Sequence, residues 1–145
     1  MQKRFSVFIW AAIIFQLLTA ALHSLTFIIK PVAANETEEQ LLHLLTTYKM
    51  DMGNGIFRTY SEIVLTLSVN LTLLCLFGGL LNWFLKRKAV SCEIWKGVLL
   101  IQSIIFGILF LVVLIFGFLP PLVCTGLIFI SCTAAWITAK PISSL

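Results

Sequence analysis

Charge is what this chain has least of. Only 11% of its 145 residues are Asp, Glu, Lys or Arg, while 60% are hydrophobic; a soluble domain is about a quarter charged. A water-soluble fold of this length would leave large apolar patches exposed. A bilayer removes that difficulty, so the chain reads as an integral membrane protein. Paired cysteines are missing too. Cys75, Cys92, Cys124 and Cys132 form no C-x-x-C, and three of them lie inside apolar runs, where Cys acts as a small hydrophobe. That argues against a disulfide framework and against the membrane thiol oxidoreductases, which need paired reactive cysteines in loops or at helix ends. Histidine is as scarce. With His43 in a polar loop, His23 is the one histidine in an apolar run, which rules out a haem held by two deep histidines. No H-E-x-x-H, P-loop or G-x-S-x-G occurs. No catalytic residue or metal ligand is assigned on these grounds, and the cofactor question stays open. Although the net charge is +4, no basic helix or domain exists outside the apolar runs, so nucleic acid is not an expected partner.

What is present is apolar sequence of membrane length. Four runs, at about 5–29, 60–85, 98–119 and 122–139, are separated by an outer loop at 30–59 and two short connections. The first run has 25 residues and reaches roughly 37 Å as a helix, enough to span with some tilt. Its rival reading is a cleaved signal peptide ending at the small residues Val32-Ala33-Ala34, against which its length counts. Pro120-Pro121 is expected to make the tight turn between the last two spans. The expected fold is all-α: one transmembrane domain over residues 1–145, an up-and-down four-helix bundle with a short amphipathic helix in the first outer loop. Ser103 and Gly107, Ser131 and Ala135, and the pair Gly78-Gly79 mark its close helix contacts.

Orientation follows from the basic residues. Lys3, Arg4, Lys86, Arg87, Lys88, Lys96 and Lys140 fall on one side of these spans; Lys30, Lys49 and Arg58 fall on the other. The positive-inside rule places both termini in the cytoplasm of a multi-pass cell-membrane protein. Trp10, Trp83, Trp95 and Trp136 then lie near the inner interface, and Tyr48 and Tyr60 near the outer one, the levels that such rings prefer.

The outer loop has local signals of its own. Asn35 is a good N-cap, Glu36, Glu38 and Glu39 occupy the first turn that follows, and Glu38 holds the capping-box position. Leu41, Leu42, Leu44, Leu45 and Tyr48 continue at helical spacing, predicting a short helix at the membrane surface or over the bundle. Asn35-Glu36-Thr37 is also a glycosylation sequon, of consequence only on a eukaryotic secretory route. Gly53-Asn54-Gly55 allows a sharp turn before the second span.

Ionisable groups inside or beside a span need a partner or a cavity. His23 falls toward the outer end of the first span and Glu62 near the outer end of the second, with Arg58 four residues before Glu62. These residues, with Asp51, are the candidate ligand-binding cluster, able to hold a proton or bind a polar head group. The plainer reading gives His23 a backbone carbonyl and makes Arg58 and Glu62 an ordinary interfacial pair. Gln16 and Asn70 are expected to bond across the first two helices for architecture alone.

His23, Met50-Asp51-Met52-Gly53 and Arg58-Thr59-Tyr60-Ser61-Glu62 together resemble a family of small uncharacterised bacterial four-helix membrane proteins similar to the DoxX-like group. The resemblance implies the architecture and brings no reaction with it. The leading expectation is a non-enzymatic membrane protein that binds a small ligand or lipid, or serves as an accessory subunit. Its partners are then the bilayer and a membrane protein or further copies of itself. The alternatives are a membrane-embedded enzyme or redox partner using His23 and Glu62 as acid–base groups, and a small oligomeric transporter. The third span, almost uniformly apolar, is a poor wall for a water path.

Overall fold

Long uninterrupted stretches of Leu, Ile, Val, Phe and Ala leave the backbone one way to satisfy its N–H and C=O groups without water, which is the helix. The computed structural model describes residues 3–29 and 31–140 and is all-α apart from one small hairpin. In chain order the elements are α1 (Lys3–Ser24, extended by a 3-10 turn over Leu25–Phe27), α2 (Glu36–Thr47), β1 (Lys49–Asp51), β2 (Phe57–Thr59), α3 (Tyr60–Arg87), α4 (Cys92–Phe116) and α5 (Leu119–Thr138). The segments Lys3–Phe27, Tyr60–Arg87, Cys92–Phe116 and Leu119–Thr138 are each long and apolar enough to cross a membrane. Large apolar side chains stay exposed along them, among them Leu67 at 63% and Ile108 at 60%, an exterior compatible with a multi-pass membrane protein. Lys30, where the first apolar run ends, lies outside the described residues.

Helix limits differ from the hydropathy pattern where capping decides. α4 begins at Cys92, six residues before the apolar run, because Ser91 caps it: Ser91 Oγ accepts the Ile94 N–H at 3.4 Å. It ends before Gly117, where a Cβ would stand 2.5 Å from the Val113 carbonyl oxygen. The break before α5 falls at Gly117-Phe118, so Pro120 and Pro121 belong to the first turn of α5 rather than to the turn itself. Proline is tolerated there because a first-turn N–H has no intrahelical acceptor in any case.

The contacts divide the chain into two compact units. One comprises the residues up to Thr19 and those from Cys75 onward, and it holds most of the core. Phe5, Ile9, Ile13, Leu85, Trp95, Leu99, Ala135 and Ala139 pack into one cluster. Gly78 and Gly79 allow α1 to approach α3: a Cβ on Gly79 would meet Leu17 at 2.8 Å, and one on Gly78 would meet Gln16 Nε2 at 2.6 Å. Gly107 faces Phe129 at 3.0 Å in the same sense, and Phe110 stacks on Phe129 with ring centroids 6.1 Å apart. Of the small residues expected to mark close contacts, Gly78, Gly79 and Gly107 do so, and Ser103, Ser131 and Ala135 are buried.

Within this core lies a closed set of amides. Gln16 Nε2 donates to Gln102 Oε1 at 3.0 Å, and Asn82 Nδ2 donates to Gln16 Oε1 at 3.0 Å and to Gln102 Oε1 at 2.9 Å. Gln102 Nε2 returns a bond to Asn82 Oδ1 at 3.1 Å, and Cys132 Sγ lies 3.7 Å from Gln102 Oε1. Gln16 and Asn82 are fully buried, and Gln102 nearly so. The expectation that Gln16 pairs with Asn70 is corrected here: Asn82 is its partner on α3, and Asn70 is exposed. Asn82 is three turns further along α3 than Asn70, at a height hydropathy assigns to the interface.

The second unit runs from Ala20 to Leu74. α2 forms as its sequence predicts. Asn35 Oδ1 accepts the Glu38 N–H at 2.9 Å, and Glu38 Oε2 accepts the Ala34 N–H at 2.8 Å, one residue earlier than the standard reciprocal bond. β1 and β2 then pair antiparallel, with Lys49 opposite Thr59, Met50 opposite Arg58 and Asp51 opposite Phe57. The turn between them needs left-handed backbone at three successive residues, Gly53, Asn54 and Gly55, with φ of 92°, 54° and 75°, which explains the two glycines and the asparagine.

Candidate functional site

Each residue of the predicted cluster belongs to the second unit, and each is given a local partner. Glu62 caps α3. Its Oε2 accepts the Thr59 N–H at 2.8 Å, and its own N–H donates to Thr59 Oγ1 at 3.3 Å, the two bonds of a capping box. The sequence carries this signal as Thr59-x-x-Glu62. Asp51 Oδ1 accepts the Gly53 N–H at 2.8 Å and so fixes the hairpin turn. Arg58 Nη1 donates to the carbonyl of its neighbour Phe57 at 2.9 Å, with the side chain exposed. The His23 ring meets Phe27 edge-on, centroids 6.3 Å apart, and its Nε2 is buried with no hydrogen-bond partner among the described residues. The hydrogen bonds of Asp51, Arg58 and Glu62 thus run within their own segments rather than to one another.

What the unit does assemble is an apolar groove that the sequence did not reveal. Leu44, Leu45 and Tyr48 at the end of α2, Met50 of β1 and Tyr60 at the start of α3 line a recess of about 360 Å³ with almost no polar wall. Ser61 Oγ ties the start of α3 to α2 by donating to the Leu45 carbonyl at 2.9 Å. The two tyrosines assigned to one interface level from sequence therefore line one recess. Met50 and Arg58 stand opposite each other in the ladder, so their side chains leave the hairpin on the same face. Arg58 therefore shares a hairpin face with Met50 but does not itself line the recess. The size of the recess lies at the lower end of the range for small-molecule sites.

A second hollow, about 610 Å³ and wide open, follows the polar face of α2 along Glu36, Glu39, Gln40 and His43. Residues spaced by three and four share that face. No group of three His, Cys, Asp or Glu among the described residues is placed to hold a metal ion. No family model matches the chain, and neither does any curated protein or solved structure.

Proposed function

We propose that the chain is a non-enzymatic multi-pass membrane protein that holds a small lipid-like molecule, or the apolar segment of a membrane partner, at its outer side. The supporting observation is the apolar groove at Leu44, Leu45, Tyr48, Met50 and Tyr60, with Arg58 on the same hairpin face as Met50. In this reading both termini are cytoplasmic, the four long helices form an up-and-down bundle, and the groove stands where α3 leaves the outer leaflet. The long-helix core supports a binding role over a catalytic one, because its central amides bond to each other and not to an open cavity. The exposed Arg58 side chain, on the Met50 face of the hairpin, supplies a charge available to a head group. An acid–base enzyme built on His23 and Glu62 is disfavoured, since the Glu62 carboxylate is engaged by its own helix start.

The test is native mass spectrometry of the detergent-purified full-length protein, with lipid extraction of the same sample. A stoichiometric apolar molecule should be retained. It should be lost in Leu44→Glu, a substitution at an exposed helical position. An intact chain carrying only bulk lipid, or a ligand retained unchanged in Leu44→Glu, would end this reading.

A further inference from the structure

The first unit has a chemistry at one end that neither its core nor the outer groove uses. Phe5, Leu85, Trp95 and Ala139 share the core cluster, so the start of α1, the end of α3, the start of α4 and the end of α5 meet there. The phenyl ring of Phe5 sits edge-on to the Trp95 indole at 5.5 Å, and Lys86 Nζ on α3 donates to Ser6 Oγ on α1 at 2.9 Å. This unit carries seven of the chain's ten basic residues, while Glu93 is its one acidic residue. Among the described residues, three of these cations meet aromatic rings rather than carboxylates. Lys86 Nζ lies 5.0 Å from the ring centroid of Trp10, the Arg87 guanidinium 4.9 Å from that of Trp83, and Lys88 Nζ 5.9 Å from that of Phe84. All three rings are exposed. Neutral partners position a cation without cancelling its charge, so three full positive charges stand beside three outward apolar rings.

We propose that this end binds anionic phospholipid, with Lys86, Arg87 and Lys88 contacting the phosphate and Trp10, Trp83 and Phe84 lying along the glycerol and upper acyl region. The charge is complementary to an anionic head group, and the exposed rings match the layer directly beneath it. A nucleic acid or an acidic peptide would leave those rings in water. Orientation signalling alone needs basic residues near a span and does not require each of three successive cations to be seated on a ring. The proposal concerns a different surface and a different class of lipid contact from the outer groove, and stands or falls separately from it.

The experiment is native mass spectrometry of the full-length protein in detergent, titrated with phosphatidylglycerol and, separately, phosphatidylcholine of identical acyl chains. Phosphatidylglycerol should bind more than tenfold better, a preference that shrinks as salt is raised. Arg87→Gln/Lys88→Gln, both at exposed positions, should reduce the preference by roughly fivefold for each charge removed. Lys49→Gln, in the other unit, should leave it unchanged. Solubilised protein has no sidedness, so an altered insertion direction does not enter the readout. Equal binding of the two lipids would overturn the proposal, as would a preference that survives Arg87→Gln/Lys88→Gln or is lost equally in Lys49→Gln. Displacement of the lipid by millimolar inorganic phosphate would also overturn it, by showing a free-anion site.

Discussion

Asn82 shows what a single polar side chain does in this protein. It stands fully buried between Gln16 and Gln102, donating to both and accepting from one. A buried amide left without partners costs about 1–3 kcal/mol, although single cross-helix bonds in lipid average only ~0.6 kcal/mol because the separated helices find other partners. Asn82→Leu removes three bonds at once and orphans Gln16 Oε1 and Gln102 Nε2. It should therefore lower stability by about 1–3 kcal/mol, measured by reversible unfolding in mixed micelles. Asn70→Leu, at an exposed position of the same helix, should change it by less than ~0.5 kcal/mol. An equal response of the two variants would show that the amide set contributes nothing specific. The polarity of these residues could be read from the chain. Their pairing could not, because hydropathy orders residues along one helix and leaves the facing of α1, α3 and α4 undetermined. Gly78 was the available clue: its missing side chain makes the space that the Gln16 amide occupies.

Among the elements, α2 was legible almost to the residue, since a cap and its first-turn acids are local signals that need no tertiary context. The hairpin was not. Strands of three residues carry no periodicity, and only the turn residues Gly53-Asn54-Gly55 announced it. The groove was hidden for the same reason, as it exists only once the hairpin brings Met50 and Tyr60 beside Leu44 and Tyr48. The start of α3 allows a sharp test of what Glu62 is for. Gln keeps the oxygen that accepts the Thr59 N–H and is a normal capping-box residue, whereas Ala removes it. Glu62→Gln should preserve amide hydrogen-exchange protection over residues 59–66. Glu62→Ala should lower it by an amount equivalent to about 1 kcal/mol. If retention of a bound molecule is lost in Glu62→Gln while protection is kept, the carboxylate charge serves a ligand beyond the cap.

At the scale of the molecule, the distribution of charge matters more than its amount. Five of the six acidic residues fall between Ala20 and Leu74, and seven of the ten basic ones fall outside that segment. In a chain whose four long helices expose apolar side chains along their length, such a division has a direct consequence for insertion. Lys and Arg near span ends are retained on the cytoplasmic side, while acidic residues contribute little to the choice. The start of α1, the end of α3 and the end of α5 should accordingly face the cytoplasm, and the hairpin should face outward. Asn54 reports this well, because it is exposed and lies at the tip of the turn. In a background with the four native cysteines replaced by Ala or Ser, Asn54→Cys should react with a membrane-impermeant maleimide on intact cells. A cysteine introduced by Lys88→Cys should react only after permeabilisation. The reverse pattern would invert the topology and would move the groove to the cytoplasmic face. Labelling of both sites on intact cells would mean that the chain inserts in two directions, in which case seven basic residues against three do not suffice to orient it.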